Sequence, residues 1–145
     1  MNEISDGRDM SDFVRLWLDT YTRGDLEAAM ACYTEDVVFE DPIFGELVEG
    51  RASLRAVFAT FFSTGVTKLA FLRWNGGPCG GAVEWQWTAD WGPGRTFLGF
   101  DCANKRFVVR GVSVLSFRDG LIARQVDYWD ARGALVQIGA ISTPI

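Results

Sequence analysis

The sequence contains no histidine in 145 residues. That removes every His-based triad and leaves no basis for an ordinary zinc or copper site. Acid–base chemistry near neutral pH must then come from a carboxylate with a displaced pKa, or less often from Cys, Tyr or Lys. Two aspartates stand where this could happen. Asp41 closes the run Val37-Val38-Phe39-Glu40-Asp41 before Pro42. Beside Phe39 its carboxylate would lose hydration, which raises a carboxyl pKa towards a useful value. Asp127 alternates with Gln125 and Trp129, so strand period places these three on one face and Val126, Tyr128 and Asp130 on the other. The plainer readings are an Asp-Pro turn for Asp41 and a structural ion pair for Asp127. Asp130 is expected to cap a turn or to pair with Arg132 or Arg124.

Other groups offer less. Cys32, Cys79 and Cys102 are odd in number and far apart, which suggests neither a disulfide framework nor a CxxC metal site. The glycine-rich stretch 76–81 lacks the strand-to-helix setting of a phosphate loop. The aromatic content is high, with six Trp, eleven Phe and three Tyr. Such rings fill cores and interfaces, and they also line pockets for flat apolar ligands.

The elements that would position these residues can be read from periodicity. Phe13, Leu16, Trp17, Thr20 and Tyr21 fall at helical spacing and predict a helix over 11–22. Arg23-Gly24 ends it, and Asp25 can cap a second helix with Leu26, Ala29, Met30 and Tyr33 on one stripe. A strand over 37–41 stops at Pro42. Gly50 precedes a third helix with Leu54, Val57, Phe58 and Phe61 on its stripe. From Gly65 onward the pattern is that of strands: 66–74 and 82–91 around the turn-rich 75–81, then about 106–118 and 121–130 around Arg118-Asp119-Gly120. Trp85, Trp87 and Trp91 alternate with Glu84, Gln86, Thr88 and Asp90, which gives one aromatic face and one polar face. Helices followed by an antiparallel meander indicate an α+β architecture.

Length and composition fit one domain over residues 1–145, with residues 1–10 expected as a flexible N-terminal tail. The net charge is −5 and the sequence pI about 4.7, with no Lys/Arg cluster, so nucleic acid and anionic membrane are poor partners. No apolar run approaches the ~20 residues of a membrane span. Met1-Asn2-Glu3-Ile4-Ser5-Asp6 lacks the features of a signal peptide, so a cytoplasmic location is expected.

Three stretches resemble the nuclear transport factor two-like superfamily, in particular its SnoaL-like polyketide cyclase and ketosteroid isomerase-like branch. They are Gly24-Asp25-Leu26 through Tyr33-Thr34-Glu35-Asp36-Val37-Val38-Phe39-Glu40-Asp41-Pro42, Gly50-Arg51-Ala52-Ser53-Leu54, and Phe107-Val108-Val109-Arg110-Gly111 through Phe117-Arg118-Asp119-Gly120-Leu121-Ile122 to Asp127-Tyr128-Trp129-Asp130. The resemblance implies a cone-shaped α+β roll, in which a curved antiparallel sheet wraps around three N-terminal helices and opens at one end on a deep pocket. It also implies a homodimer formed through the outer face of the sheet. Asp41 matches the catalytic base of ketosteroid isomerases. The oxyanion-holding Tyr and Asp of those enzymes fall on Trp17 and Ser113, which can donate one N–H and one O–H. Asp127 matches the last aspartate of limonene-epoxide hydrolases and resembles the acid–base residue of SnoaL-type cyclases. The Arg and first Asp of the hydrolase group fall on Trp85 and Trp87, which cannot orient a water and protonate an epoxide. The resemblance thus assigns catalysis to Asp41 and Asp127. Substrate contact falls to Trp17, Tyr33, Phe39 and Phe58, to Trp85, Trp87 and Ser113, and to Gln125 and Trp129. No cofactor is implied. The expected function is acid–base catalysis of a cyclase, isomerase or dehydratase type on a cyclic or polyketide-like carbonyl compound. The alternative is a module that binds an apolar ligand without turnover.

Overall fold

A computed structural model describes residues 9–143 of the chain. Most of the expected N-terminal tail, residues 1–8, lies outside the described residues. Met10, expected in that tail, is instead part of the core at 1% exposure, and its carbonyl accepts the Val14 N–H.

Helix α1 (Ser11–Arg23) buries Val14, Trp17, Leu18 and Tyr21, an i, i+3, i+4, i+7 stripe. The expected stripe ran through Leu16, but that side chain is 68% exposed. Both stripes satisfy helical period, and the partner surface chose the one carrying Val14 and Leu18. Gly24 ends α1 at φ +67°, with the Asp25 and Gly24 N–H groups bonded back to Thr20 and Tyr21 as in a Schellman turn. Asp25 then caps helix α2 (Leu26–Met30) by accepting the Ala28 N–H at 3.1 Å. Helix α2 has only five residues, and Tyr33 opens strand β1 (Tyr33–Asp41) rather than extending the helical stripe.

The chain turns at 42–45 into β2 (Glu46–Glu49), an element the sequence reading did not anticipate, and enters helix α3 (Arg51–Ser63), which buries Leu54 and Phe58. Strands β3 (Thr67–Gly77) and β4 (Gly80–Asp90) pair from Thr67–Ala89 to Gly77–Gly80. The glycine-rich stretch is therefore mostly ladder, not loop. A Cβ on Gly81 would lie 2.3 Å from the Asn75 carbonyl oxygen and 2.9 Å from the Trp74 ring, so glycine here permits close strand approach under an indole. A small hairpin of β5 (Thr96–Phe97) and β6 (Phe100–Asp101) follows, then β7 (Arg106–Arg118) and β8 (Leu121–Trp129). Asp130 caps a last helix, α4 (Ala131–Gln137), by accepting the Gly133 N–H at 2.8 Å. Its role is thus the expected cap, and Arg124 lies near Glu40 instead.

The six-stranded sheet has the order β2-β1-β8-β7-β4-β3, and β1 runs parallel to β8. The sheet is therefore mixed rather than antiparallel. Strands β1 and β8 are far apart in sequence, so no hairpin dictates their relative direction. Register shifts at Phe71/Arg73, Ser116/Phe117 and Tyr33/Val38 bend the sheet, and α1 and α3 close its concave side. Trp85 and Trp87 are buried on that side at 4% and 5% exposure. Trp91 lies just beyond β4, and it packs on Phe97 and Phe107, the same two rings that Trp87 meets. No helix among the described residues is long and apolar enough to cross a membrane.

Candidate functional site

A cavity of about 590 Å³ opens between the concave face of the sheet, α1 and α3. Its apolar wall includes Trp17 and Tyr21 from α1, Phe58 and Phe61 from α3, and Trp85 and Trp87 from β4. Strands β1, β7 and β8 supply most of the polar groups: Asp41, Ser113, Gln125 and Asp127. The volume suits a ligand of one or more fused rings.

A directed chain of hydrogen bonds converges on Asp127. Trp17 Nε1 donates to the Tyr33 hydroxyl at 3.0 Å, which donates to Gln125 Oε1 at 2.6 Å. With its oxygen committed, Gln125 turns its amide nitrogen towards both Asp127 oxygens, at 3.0 and 3.1 Å. From the other side Trp85 Nε1 donates to Ser113 Oγ at 3.0 Å, and Ser113 donates to Asp127 Oδ1 at 2.6 Å. Ser113 and Asp127 are directly opposite in the β7–β8 ladder, which accounts for the short bond. Asp127 Oδ1 thus receives two donors, while Oδ2 receives one longer contact and is the freer oxygen.

Burial pushes the Asp127 pKa up from 3.8 to about 7. The Ser113 and Gln125 hydrogen bonds work against this by stabilising the anion, and the Asp41 charge reinforces it. Asp127 is half-buried and lines the aromatic cavity. Asp127 therefore sits where both protonation states are populated near neutrality.

Asp41 is different. It is buried at 4% exposure and lines the same cavity, but both of its oxygens already accept hydrogen bonds. Oδ1 accepts the Ile43 and Phe44 N–H groups at 3.0 and 3.1 Å, and Oδ2 accepts Trp129 Nε1 at 3.0 Å. The expected turn-opening role and the pocket position coincide in one residue. Other titratable groups are poorly placed as bases. Burial pushes the Tyr21 and Tyr33 phenols well up, so both remain donors, and it pushes the Cys32 thiol to about 11.

Of the residues expected to contact a ligand, Trp17, Phe39, Phe58, Trp85, Trp87, Ser113, Gln125 and Trp129 all line the cavity. Tyr33 does not. It is fully buried behind the wall, and its hydroxyl acts through Gln125. Tyr21, Phe44, Glu46 and Phe61 line the cavity and were not singled out as contacts. Tyr21 and Phe61 already lay on recognised helical stripes. Glu46 reaches the site only because β2 folds back to pair it with Asp41, and no periodicity announces a four-residue strand.

The SnoaL-like domain model matches residues 14–125, and the chain belongs to that family. The match ends two residues before Asp127. No curated protein matches the sequence. Among solved structures, the chain is similar to TsrD from Streptomyces laurentii, at 22% identity and a TM-score of 0.75 over 91% of this chain and 96% of that one. It is also similar to a candidate polyketide cyclase from Xanthomonas campestris pv. campestris, at 20% identity and a TM-score of 0.72 over 88% and 95% of the two chains. A candidate ketosteroid isomerase from Kribbella flavida DSM 17836 shares 26% identity with a TM-score of 0.65 over 97% and 85%.

Proposed function

We propose that this protein is a cofactor-independent acid–base enzyme of the cyclase, isomerase or dehydratase type, acting on a cyclic or polyketide-like carbonyl compound. The observation that carries the reading is Asp127. A hydrogen-bonded carboxyl group with its pKa near 7 faces an aromatic cavity of suitable size. As the anion, Asp127 takes a proton from carbon alpha to a substrate carbonyl, and the C–H electron pair forms the enolate. In a ring closure, the enolate carbon attacks a second carbonyl of the same molecule, and the resulting alkoxide takes the proton back from Asp127. Protons balance, and no other reactant is required. Asp41 is the second catalytic candidate, with the lesser role of holding the β1–β2 turn and setting the charge around Asp127.

One observation favours the alternative of an apolar-ligand carrier. Trp17 and Ser113, the residues at the oxyanion positions, both spend their protons inside the network, on Tyr33 and Asp127. A developing oxyanion would then have to be met by protonated Asp127 itself. The deciding experiment measures ligand binding by tryptophan fluorescence quenching together with turnover on a panel of cyclic ketones and polyketide-like esters. Asp127→Asn should lower turnover on the order of 10²-fold or more while leaving affinity nearly unchanged. Tight binding by the parent with no conversion across the panel establishes the carrier instead. We further propose that the protein is cytoplasmic and acts as a homodimer through the outer face of the sheet, where Val114 and Tyr128 are 38% and 49% exposed.

A further inference from the structure

The cavity has a pronounced sign. Three carboxylates line it, from Asp41, Glu46 and Asp127, and no lysine or arginine occurs among the described residues of its wall. Asp41 repels both of the others, and its charge contributes to the raised pKa of each. Glu46 stands across the β1–β2 ladder from Asp41, and its side chain has no hydrogen-bond or ion-pair partner among the described residues. Aromatic rings make up much of the remaining wall, and the face of such a ring carries the negative side of its quadrupole. At the β1–β2 end, Phe44 and Trp129 lie 5.2 Å apart at an interplanar angle of 45°. Trp129 donates its N–H to Asp41, which makes that indole more electron-rich.

Such a corner is unfavourable for an anion and gives a neutral ligand no electrostatic reward. A cation with a thin hydration shell meets aromatic rings and two carboxylates together. We propose that the ligand of this pocket carries a protonated or quaternary amine, seated between Phe44, Trp129, Asp41 and Glu46, with its apolar body among the interior rings. This rests on the reading of the cavity as a small-molecule site and narrows it to apolar amines. In the enzymatic case the ammonium anchors the substrate at the mouth and delivers its carbonyl to Asp127.

The test uses three probes with one naphthylmethyl body: the trimethylammonium cation, its uncharged isostere with carbon in place of nitrogen, and naphthylacetate. Dissociation constants are measured by isothermal titration calorimetry at pH 8 and physiological salt, which screens the general negative charge of the surface. The ammonium should bind about tenfold or more tightly than the isostere, against the hydrophobic preference for the uncharged form, and naphthylacetate should bind most weakly. Glu46→Gln, at a half-buried position, should lower the ammonium-to-isostere ratio about threefold or more. An isostere that binds as tightly as the ammonium overturns the proposal and leaves the pocket reading intact. A ratio unmoved by Glu46→Gln overturns the assigned seat. Binding of none of the three removes the pocket reading and the proposal together.

Discussion

Asp127 is costly to keep ionised, and that cost can be measured without knowing the substrate. In the unfolded chain its carboxyl group titrates near 3.8, and in the fold near 7. Below about pH 4 both states are protonated, and the residue contributes no pH-dependent term. Between the two values the unfolded chain releases its proton first, so the folded state loses relative stability as pH rises. Above about pH 7 the loss is complete, and at ~1.36 kcal/mol per pKa unit it amounts to about 4 kcal/mol. Asp127→Asn removes that penalty. Asparagine can still accept from Ser113 and Gln125 through one oxygen, but its amide nitrogen then faces the Gln125 amide nitrogen, which costs about 1 kcal/mol. The variant should thus be more stable than the parent by about 2–3 kcal/mol at pH 8, and the advantage should vanish near pH 4. Urea unfolding followed by tryptophan fluorescence and circular dichroism at pH 4, 6 and 8 gives the two curves. A parent–variant difference that stays constant across this range would falsify the raised pKa, and with it the argument that burial prepares this group for proton transfer. A gain in stability coupled to a loss of turnover is the signature of a residue kept for function against the interest of the fold.

Turnover should rise with pH through an apparent pKa near 7, because only ionised Asp127 accepts the substrate proton; a flat pH–rate profile from 5 to 9 contradicts this. Tyr33→Phe keeps the ring but leaves Gln125 Oε1 and Trp17 Nε1 without their partner, so unfolding should cost about 1–3 kcal/mol less and turnover should fall without a matching change in affinity. Gly111→Ala would place a Cβ 2.3 Å from the Trp85 ring and 2.8 Å from Trp129 Cβ, so it should destabilise the protein by about 1–3 kcal/mol and disturb the cavity, read as altered fluorescence and weakened ligand binding. Light scattering at tens of micromolar should give twice the chain mass, and Tyr128→Glu on the outer sheet face should shift it towards the monomer.

The sequence by itself determined most of the local structure and the chemistry available. The absence of histidine restricted acid–base work to carboxylates, period 2 put Gln125, Asp127 and Trp129 on one face, and Gly24, Asp25 and Gly120 marked turns where glycine or a capping aspartate is needed. These are properties of neighbouring residues, and they survive in any fold that keeps the elements. Tertiary structure decided what depends on residues distant along the chain. Whether α1 turned Leu16 or Leu18 inward depended on the surface it met, since both suit a helix. Strand β2 exists because β1 offers it an edge, and Glu46 reaches the cavity only through that pairing. The parallel β1–β8 contact holds Tyr33 behind Gln125 although the two are 92 residues apart. It is this closure that distinguishes the two aspartates. Asp41 is held by neighbouring backbone and one distant indole, whereas Asp127 is held by donors delivered from β7 and β8 and desolvated by walls drawn from the whole chain. Desolvation depends on everything that surrounds a group, and no stretch of sequence around Asp127 contains that information.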